Sequence, residues 1–173
     1  MDDFYINGIF KSLPLLETER LILRPFRVDD AEDVFEYSSD PEITRYLVWN
    51  SHQSIEDSKT FITGVINDYI NGNCAPWAIS LKDSGKIIGS VGFLSVYAEH
   101  YWCEIGYILS AKYRNRGYMA ESLRRLFEFA FFEAGFQRIE AITFTENIKS
   151  QNVLTKAGMR YEGTLRSRIF AKD

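Results

Sequence analysis

Between residues 75 and 109 the chain takes up a two-residue periodicity and keeps it through three segments in a row. "APWAISL" (75–81), "KIIGSVGFLSVY" (86–97) and "YWCEIGYIL" (101–109) are rich in β-branched and aromatic residues, as strands are. Asp83-Ser84-Gly85 separates the first two, and Ala98-Glu99-His100 the second two. Connections this short join antiparallel neighbours, because a parallel crossover needs a dozen or more residues. A chain with this meander at its centre must build an antiparallel sheet and pack its remaining segments on the faces of that sheet.

The flanking segments supply strands and helices. "RLILRPF" (20–26) alternates as a half-buried strand. "VDDAEDVFEYSS" predicts a short helix with Asp29 at the N-cap and Glu32 three residues on, a variant of the capping box. Asp40-Pro41 ends it and opens another turn. "SIEDSKTFITGVINDYINGN" predicts a longer helix capped by Ser54, with Ile62, Val65, Ile66, Tyr69 and Ile70 as its buried stripe and Gly72 as its stop. After the meander come a helix from about Gly117 to Ala134, a strand over 138–144, a helix over 150–158 and a last strand over 159–170. This order predicts an α/β (α+β) fold with a mixed, mostly antiparallel central sheet and helices on both faces. It does not match a doubly wound parallel fold. With no linker, repeat or low-complexity segment, the 173 residues are expected to form a single domain over 1–173.

Charge and composition exclude several function classes. A net charge of −4 and a pI near 5.3 argue against a nucleic-acid partner, which needs a basic face. No apolar run approaches the roughly 18 residues of a membrane span, and the acidic start "MDDFYINGIF" lacks the basic region of a secretory signal. Cys74, Cys103, His52 and His100 show no metal-ligand spacing, so neither a metal nor a membrane is expected, and a cytoplasmic location is. The 15% aromatic content predicts a bulky core or an aromatic-lined cleft, with Trp49, Trp77, Tyr101 and Trp102 open to either use.

One stretch suggests a ligand. "SAKYRNRGYMAES" (110–122) leaves an apolar strand, carries Lys112, Arg114 and Arg116, and enters a helix at Gly117. Amides at a helix start, beside a glycine, can hold an anion. A triphosphate loop would need a lysine and a hydroxyl after its last glycine, but Tyr118, Met119 and Ala120 follow here. A dinucleotide fingerprint would need three spaced glycines. What remains is a pyrophosphate held by amides, with Arg114 and Arg116 adding charge and no metal.

With these residues in place, the chain resembles the GNAT N-acetyltransferases, in particular the subgroup similar to ribosomal-protein-alanine N-acetyltransferases. "RNRGYMAE" supplies the Arg and Gly of the family's Arg/Gln-x-x-Gly-x-Gly/Ala loop as Arg114 and Gly117, with Met119 where Gly or Ala is usual. "NIKSQNVLTKAGM" is similar to Asn-x-x-Ser followed by Lys-x-Gly-Phe, through Asn147, Ser150, Lys156, Gly158 and Met159. "ETERLILRPF" with Asp29-Asp30, and "EIGYIL", complete the match, which runs from about Leu16 to the end. The resemblance implies acetyl-CoA as co-substrate. Its pyrophosphate would lie on Arg114, Asn115, Arg116, Gly117, Tyr118, Met119 and Ala120, and its pantetheine along the backbone of Ile108, Leu109 and Ser110, with Asn147 and Asn152 completing the cofactor set. Family members continue past "EGTLRSRIFAKD" into a further strand. The expectation is therefore a C-terminal strand that is missing or truncated, or a sheet edge completed by a partner such as a second copy in a homodimer.

Glu104 is the one charge in "YWCEIGYIL". Alternation puts it with Gly106 and Ile108 on one face, opposite Cys103, Ile105, Tyr107 and Leu109. Acetyl transfer needs a neutral amine, and a desolvated carboxylate can take the proton. A glutamate at this strand often has that role in the family, but a structural salt bridge or plain substrate binding stays open for Glu104. The family's tyrosine acid, four residues before the Lys-x-Gly glycine, is Leu154 here. Ser150 takes its place as candidate acid, with an N-cap role as the alternative, and Tyr161 is a weaker candidate. Asn147 can cap the same helix. Cys103 lies opposite Glu104, so direct transfer is expected rather than a thiol intermediate. The expected acceptor is a primary amine: a protein N-terminus, a polyamine or an antibiotic amine. The rival reading is a non-catalytic module that binds or senses acyl-CoA.

Overall fold

The computed structural model describes residues 8–169. Six strands, β1 (Leu16–Glu17), β2 (Leu21–Arg24), β3 (Pro76–Leu81), β4 (Ile87–Tyr97), β5 (Trp102–Leu109) and β6 (Arg138–Glu140), lie in that order across one sheet. All neighbours are antiparallel except β5 and β6, which run parallel. The meander is β3–β4–β5 as its periodicity requires. β1 escapes the sequence because two residues carry no period.

Helices cover both faces. On one, α1 (Ala31–Ser38), α2 (Pro41–Thr44) and α3 (Ile55–Asn71) bury Val34, Tyr37, Ile43, Ile62 and Val65 against Ala78 and Ile87. On the other, α4 (Tyr118–Glu128, continued by a π-helical turn Phe129–Glu133) and α5 (Ile148–Ala157) pack Leu123, Leu126, Phe129 and Leu154 on Leu23, Trp77, Val91, Phe93 and Ile105. Trp77 settles as core. It is fully buried, meets Phe93 and Phe129 edge-on, and donates its indole N–H to Pro14 O at 2.7 Å. Trp102 instead stacks on Tyr97, with 3.8 Å between ring centroids.

Capping decides the helix ends. Ser54 and Asp57 form the capping box of α3, and Gly72 ends it at φ 76°. Asp40 accepts from the Glu42 amide at the start of α2. The expected Asp29 cap is corrected. A 3-10 turn over Val28–Asp30 precedes α1, and it is buried Asp30 that accepts the Arg27 amide at 2.8 Å and a two-pronged Arg24 guanidinium at 2.6 and 2.8 Å. That pair fixes the carboxylate one residue later than local sequence implies. Asn147, not Ser150, caps α5, its side-chain oxygen accepting the Ser150 amide at 3.2 Å.

Two strand expectations fail. The strand over 138–144 pairs only through Glu140, and residues 159–169 form no strand, with residue 170 outside the described range. After α5 the chain instead runs past β6, where Arg138 pairs with Glu162.

β4 and β5 approach so closely at Gly89 that an added Cβ would lie 2.1 Å from the Ile108 carbonyl oxygen. Gly89→Ala is therefore expected to cost about 2 kcal/mol or more, read as a lower urea midpoint with the slope unchanged. A midpoint equal to wild type would contradict this packing.

Candidate active site

The site begins where two strands part. β5 and β6 pair at Trp102↔Arg138, Cys103↔Ile139 and Glu104↔Glu140, and no further. The Ser110 amide donates to Ile88 O at 2.8 Å, and the Ile108 carbonyl faces Gly89, so the even-numbered main-chain groups here point to β4. By alternation, those of Tyr107 and Leu109 point the other way, into the opening. Among the described residues no strand pairs with that edge beyond Glu104. Of the three backbone positions expected to meet a ligand, Leu109 faces the opening, while Ile108 and Ser110 direct their amides into the sheet.

A strut spans the opening. The Tyr107 hydroxyl lies 2.6 Å from Ser150 Oγ and 3.2 Å from Ser150 O, tying β5 to the first turn of α5. Burial raises the Tyr107 phenol above its usual value, partly offset by the Ser150 hydrogen bond, so it stays protonated at neutral pH. The sequence pointed to Ser150 but not to Tyr107. Only register shows that this tyrosine, on the core side of β5, meets the start of α5. Leu154 is buried in that core and Tyr161 is 81% exposed, which leaves Ser150 and Tyr107 as the hydroxyls beside the opening.

At the C-terminal end of β5 the chain makes a 3-10 turn, Ala111–Tyr113, and then a tight loop. Asn115 takes φ 61° and Gly117 φ 82°, so two left-handed residues flank Arg116 just before α4. Alternating turns of this kind aim successive amides at one concavity. Asn115, Arg116 and Gly117 are exposed, while Arg114, Tyr118 and Ala120 are half-buried. Met119 is buried in the core, so its side chain leaves the concavity clear. The three basic residues divide. Lys112 pairs with Glu36 at 2.8 Å, whereas Arg114 and Arg116 form no ion pair among the described residues. Asn147 caps the N-terminal end of α5, and Asn152 is exposed on that helix.

The loop is held by residues the sequence reading passed over. Glu121, in the first turn of α4, accepts from the Thr18 hydroxyl at 2.6 Å, the Arg20 amide at 3.0 Å, and the Arg20 guanidinium at 2.6 and 2.8 Å. Arg20 also donates to Arg116 O at 3.0 Å and lies 4.3 Å over the Tyr118 ring. Burial opposes ionisation of Glu121, but these donors outweigh it and hold the carboxyl below its ordinary value. "ETERLIL" carries Thr18 and Arg20, but only the β1–β2 turn brings them to α4.

Glu104 is half-buried on the face opposite Tyr107. Burial raises its carboxyl above the ordinary value and Glu140 adds to the rise, against the opposing charge of Arg168. Cys103 is fully buried with its thiol pushed up to about 12, an inert setting. On the same face as Glu104 lies a partly open pocket lined by Tyr37, Ser38, Trp49, His52, Phe61, Ser90 and Ile108. The described residues contain no cluster that could hold a metal and no helix long and apolar enough to cross a membrane.

Comparison with known proteins gives this geometry relatives. A family model described as an acetyltransferase (GNAT) domain matches residues 20–160. The uncharacterized N-acetyltransferase YoaA of Bacillus subtilis (strain 168) is 34% identical over 157 residues, 91% of this chain and 89% of its own. The crystal structure of a GNAT-family acetyltransferase from Bacillus anthracis aligns with a TM-score of 0.80 at 30% identity, covering 90% of this chain and 89% of that one. RimL, a ribosomal L7/L12 alpha-N-protein acetyltransferase, aligns with a TM-score of 0.79 over 92% of this chain and 87% of its own, at 18% identity. That last likeness is one of fold.

Because the folded Glu121 carboxyl ionises below its ordinary value of 4.5, its clamp is complete above that pH and is lost as pH falls through the lower folded value. Glu121→Gln is expected to cost about 2 kcal/mol at pH 7 and to speed hydrogen exchange at the Gly117 amide, with the stability gap closing in acid. A gap that is the same at pH 3 and pH 7 would refute the ionic clamp.

Proposed function

The chain belongs to the GNAT family of acetyltransferases, and from that premise we propose that, as one domain, it moves an acetyl group from acetyl-CoA directly to a primary amine with Glu104 as the base. One juxtaposition carries this reading: an open strand edge, a loop of converging amides and a half-buried carboxylate all belong to β5 or the turn that leaves it. The residues fit the co-substrate. The loop at 114–120 offers a pyrophosphate its amides plus two arginines that form no ion pair among the described residues, and a Cβ at Gly117 would meet no atom closer than 3.4 Å. The Tyr107 and Leu109 main chain offers pantetheine a strand edge.

Acetyl-CoA supplies the acetyl group as a thioester. Glu104, with its raised pKa, takes a proton from the acceptor ammonium and leaves a neutral nitrogen to attack. An outward N–H of β5 opposes the charge that gathers on the carbonyl oxygen. As the carbon–nitrogen bond forms and the carbon–sulfur bond breaks, the Tyr107–Ser150 pair returns a proton to the departing thiolate. The buried Cys103 takes no part. A protein N-terminus is among the acceptors this reading admits, and RimL, of the same fold, is named for that substrate class.

The test is acetyl-CoA titration by calorimetry together with thiol release in the presence of amines. Gly117→Glu, which places a carboxylate in the loop, is expected to abolish binding. Glu104→Gln should keep the affinity but lower kcat about 100-fold or more, in line with a lost general base. The wild-type rate should rise with pH as Glu104 ionises, and that limb should vanish in the variant. An unchanged kcat in Glu104→Gln would remove it as the base. Tight binding with no thiol release for any amine would favour a non-catalytic acyl-CoA sensor.

A further inference from the structure

Two aromatic rings lie open beside the proposed base. Tyr97 ends β4 and Trp102 begins β5; they sit opposite each other in register and stack with 3.8 Å between centroids. Directly opposite residues of an antiparallel pair share a face, so these rings stand on the same face as Glu104, whose own partner is Ser95. Stacking does not bury them: Tyr97 is 42% exposed and Trp102 is half-buried. The charges around them are accounted for. In β6, Arg138 lies opposite Trp102 and Glu140 opposite Glu104. Arg138 donates to Glu140 at 2.6 Å and pairs also with Glu162. Glu104 forms no ion pair among the described residues, although Arg168, on the exposed segment after α5, brings an opposing charge to it. Glu104 is thus the carboxylate of this face left to meet an ammonium.

The aromatic pair and the cofactor edge lie on opposite sides of Glu104 along β5. The edge offered to pantetheine is at Tyr107 and Leu109, and the loop of amides follows it. An acceptor that meets the thioester near Glu104 must extend the other way, toward Trp102. Leu94 stands across the alternative path. A bulge in β4 between Phe93 and Ser95 turns it over Gly106, where any Cβ would sit 2.8 Å from its methyl group. The small pocket at Ile108 lies beyond that step, about 13 Å along β5 from Glu104. Its Tyr37 hydroxyl, which has no hydrogen-bond partner among the described residues, is out of reach of a short acceptor. Trp102, in contrast, is about 7 Å from Glu104 along the strand.

We propose that the Tyr97–Trp102 pair selects the acceptor: a primary amine carrying an aromatic ring about 7 Å from its nitrogen, the ring packing on the stacked pair while the ammonium meets Glu104. This rests on the acetyltransferase reading above and narrows it. A ring placed there gains apolar burial and aromatic contact together. A second ammonium at that distance, as in a polyamine, would lie beside Arg138, which shares the row with Trp102.

A series of phenylalkylamines, from benzylamine to 6-phenylhexylamine, tests the proposal beside butylamine and 1,5-diaminopentane, each assayed with acetyl-CoA by thiol release. The ratio kcat/KM is expected to peak at 3-phenylpropylamine or 4-phenylbutylamine, whose extended chains hold the ring about 7 Å from the nitrogen. 4-Phenylbutylamine should exceed butylamine by about tenfold. In Tyr97→Thr, which keeps a β-branched residue on the strand, that preference should fall to about twofold, with the change taken in KM. Trp102→Val serves in its place if Tyr97→Thr does not fold. A stacked pair that only stabilises the hairpin would lower the unfolding midpoint and leave the preference alone. A rate that climbs steadily with chain length, a preference for the diamine, or an unchanged preference in the variant overturns the proposal. If no amine is acetylated, 4-phenylbutylamine and butylamine are titrated against the Trp102 indole N–H resonance, assigned with Trp102→Phe. A saturable shift from the first and none from the second upholds the aromatic subsite while the catalytic reading fails, and no shift from either overturns the subsite as well.

Discussion

Everything at the candidate site depends on how briefly β5 and β6 stay paired. Three residue pairs join them, after which the outward main-chain groups of β5 lose their neighbour. Unpaired peptide groups inside a fold demand partners, so the opening is suited to a ligand with amides of its own. Past β6 the chain turns to the start of α5. Gln151 donates to the carbonyls of Phe144 and Thr145, Asn147 caps the helix, and Tyr107 reaches across to Ser150. The Tyr107–Ser150 strut thereby bridges the two sides of the gap.

The ends of β5 then receive different electrostatics from different elements. At one end, partial burial, helped by Glu140 on the neighbouring strand and opposed by Arg168, keeps the Glu104 carboxyl easier to protonate than a surface glutamate. At the other, Glu36 from α1 takes up Lys112, and Glu121 takes up Arg20. Those pairings leave Arg114 and Arg116 as the charges beside the loop amides. An acidic chain can thus present a local cationic site, because Glu36 and Glu121 beside it are spent on Lys112 and Arg20.

The meander was legible because two-residue alternation with three-residue turns admits one kind of pairing. Gly72 and Gly117 were legible as helix boundaries, and both adopt the left-handed conformation that glycine tolerates. Asp29 misled because a local capping pattern competes with long-range ion pairing, and the Arg24–Asp30 pair won. The stretch from Ala141 to Phe144 looks like strand because β propensity describes a half-buried pleated surface, yet it says nothing of whether a neighbour is present.

By itself the sequence determined the antiparallel centre, the helix boundaries at Ser54, Gly72 and Gly117, and the placing of Glu104 on the face opposite Cys103. These follow from periods and caps that operate within a few residues. Tertiary structure alone decided that Arg20 and Thr18 clamp α4, that Tyr107 meets Ser150, that Leu94 covers Gly106 and that Tyr37 is left without a partner. Each joins positions whose separation along the chain carries no period, and their meeting is fixed only when the two faces of the sheet are covered.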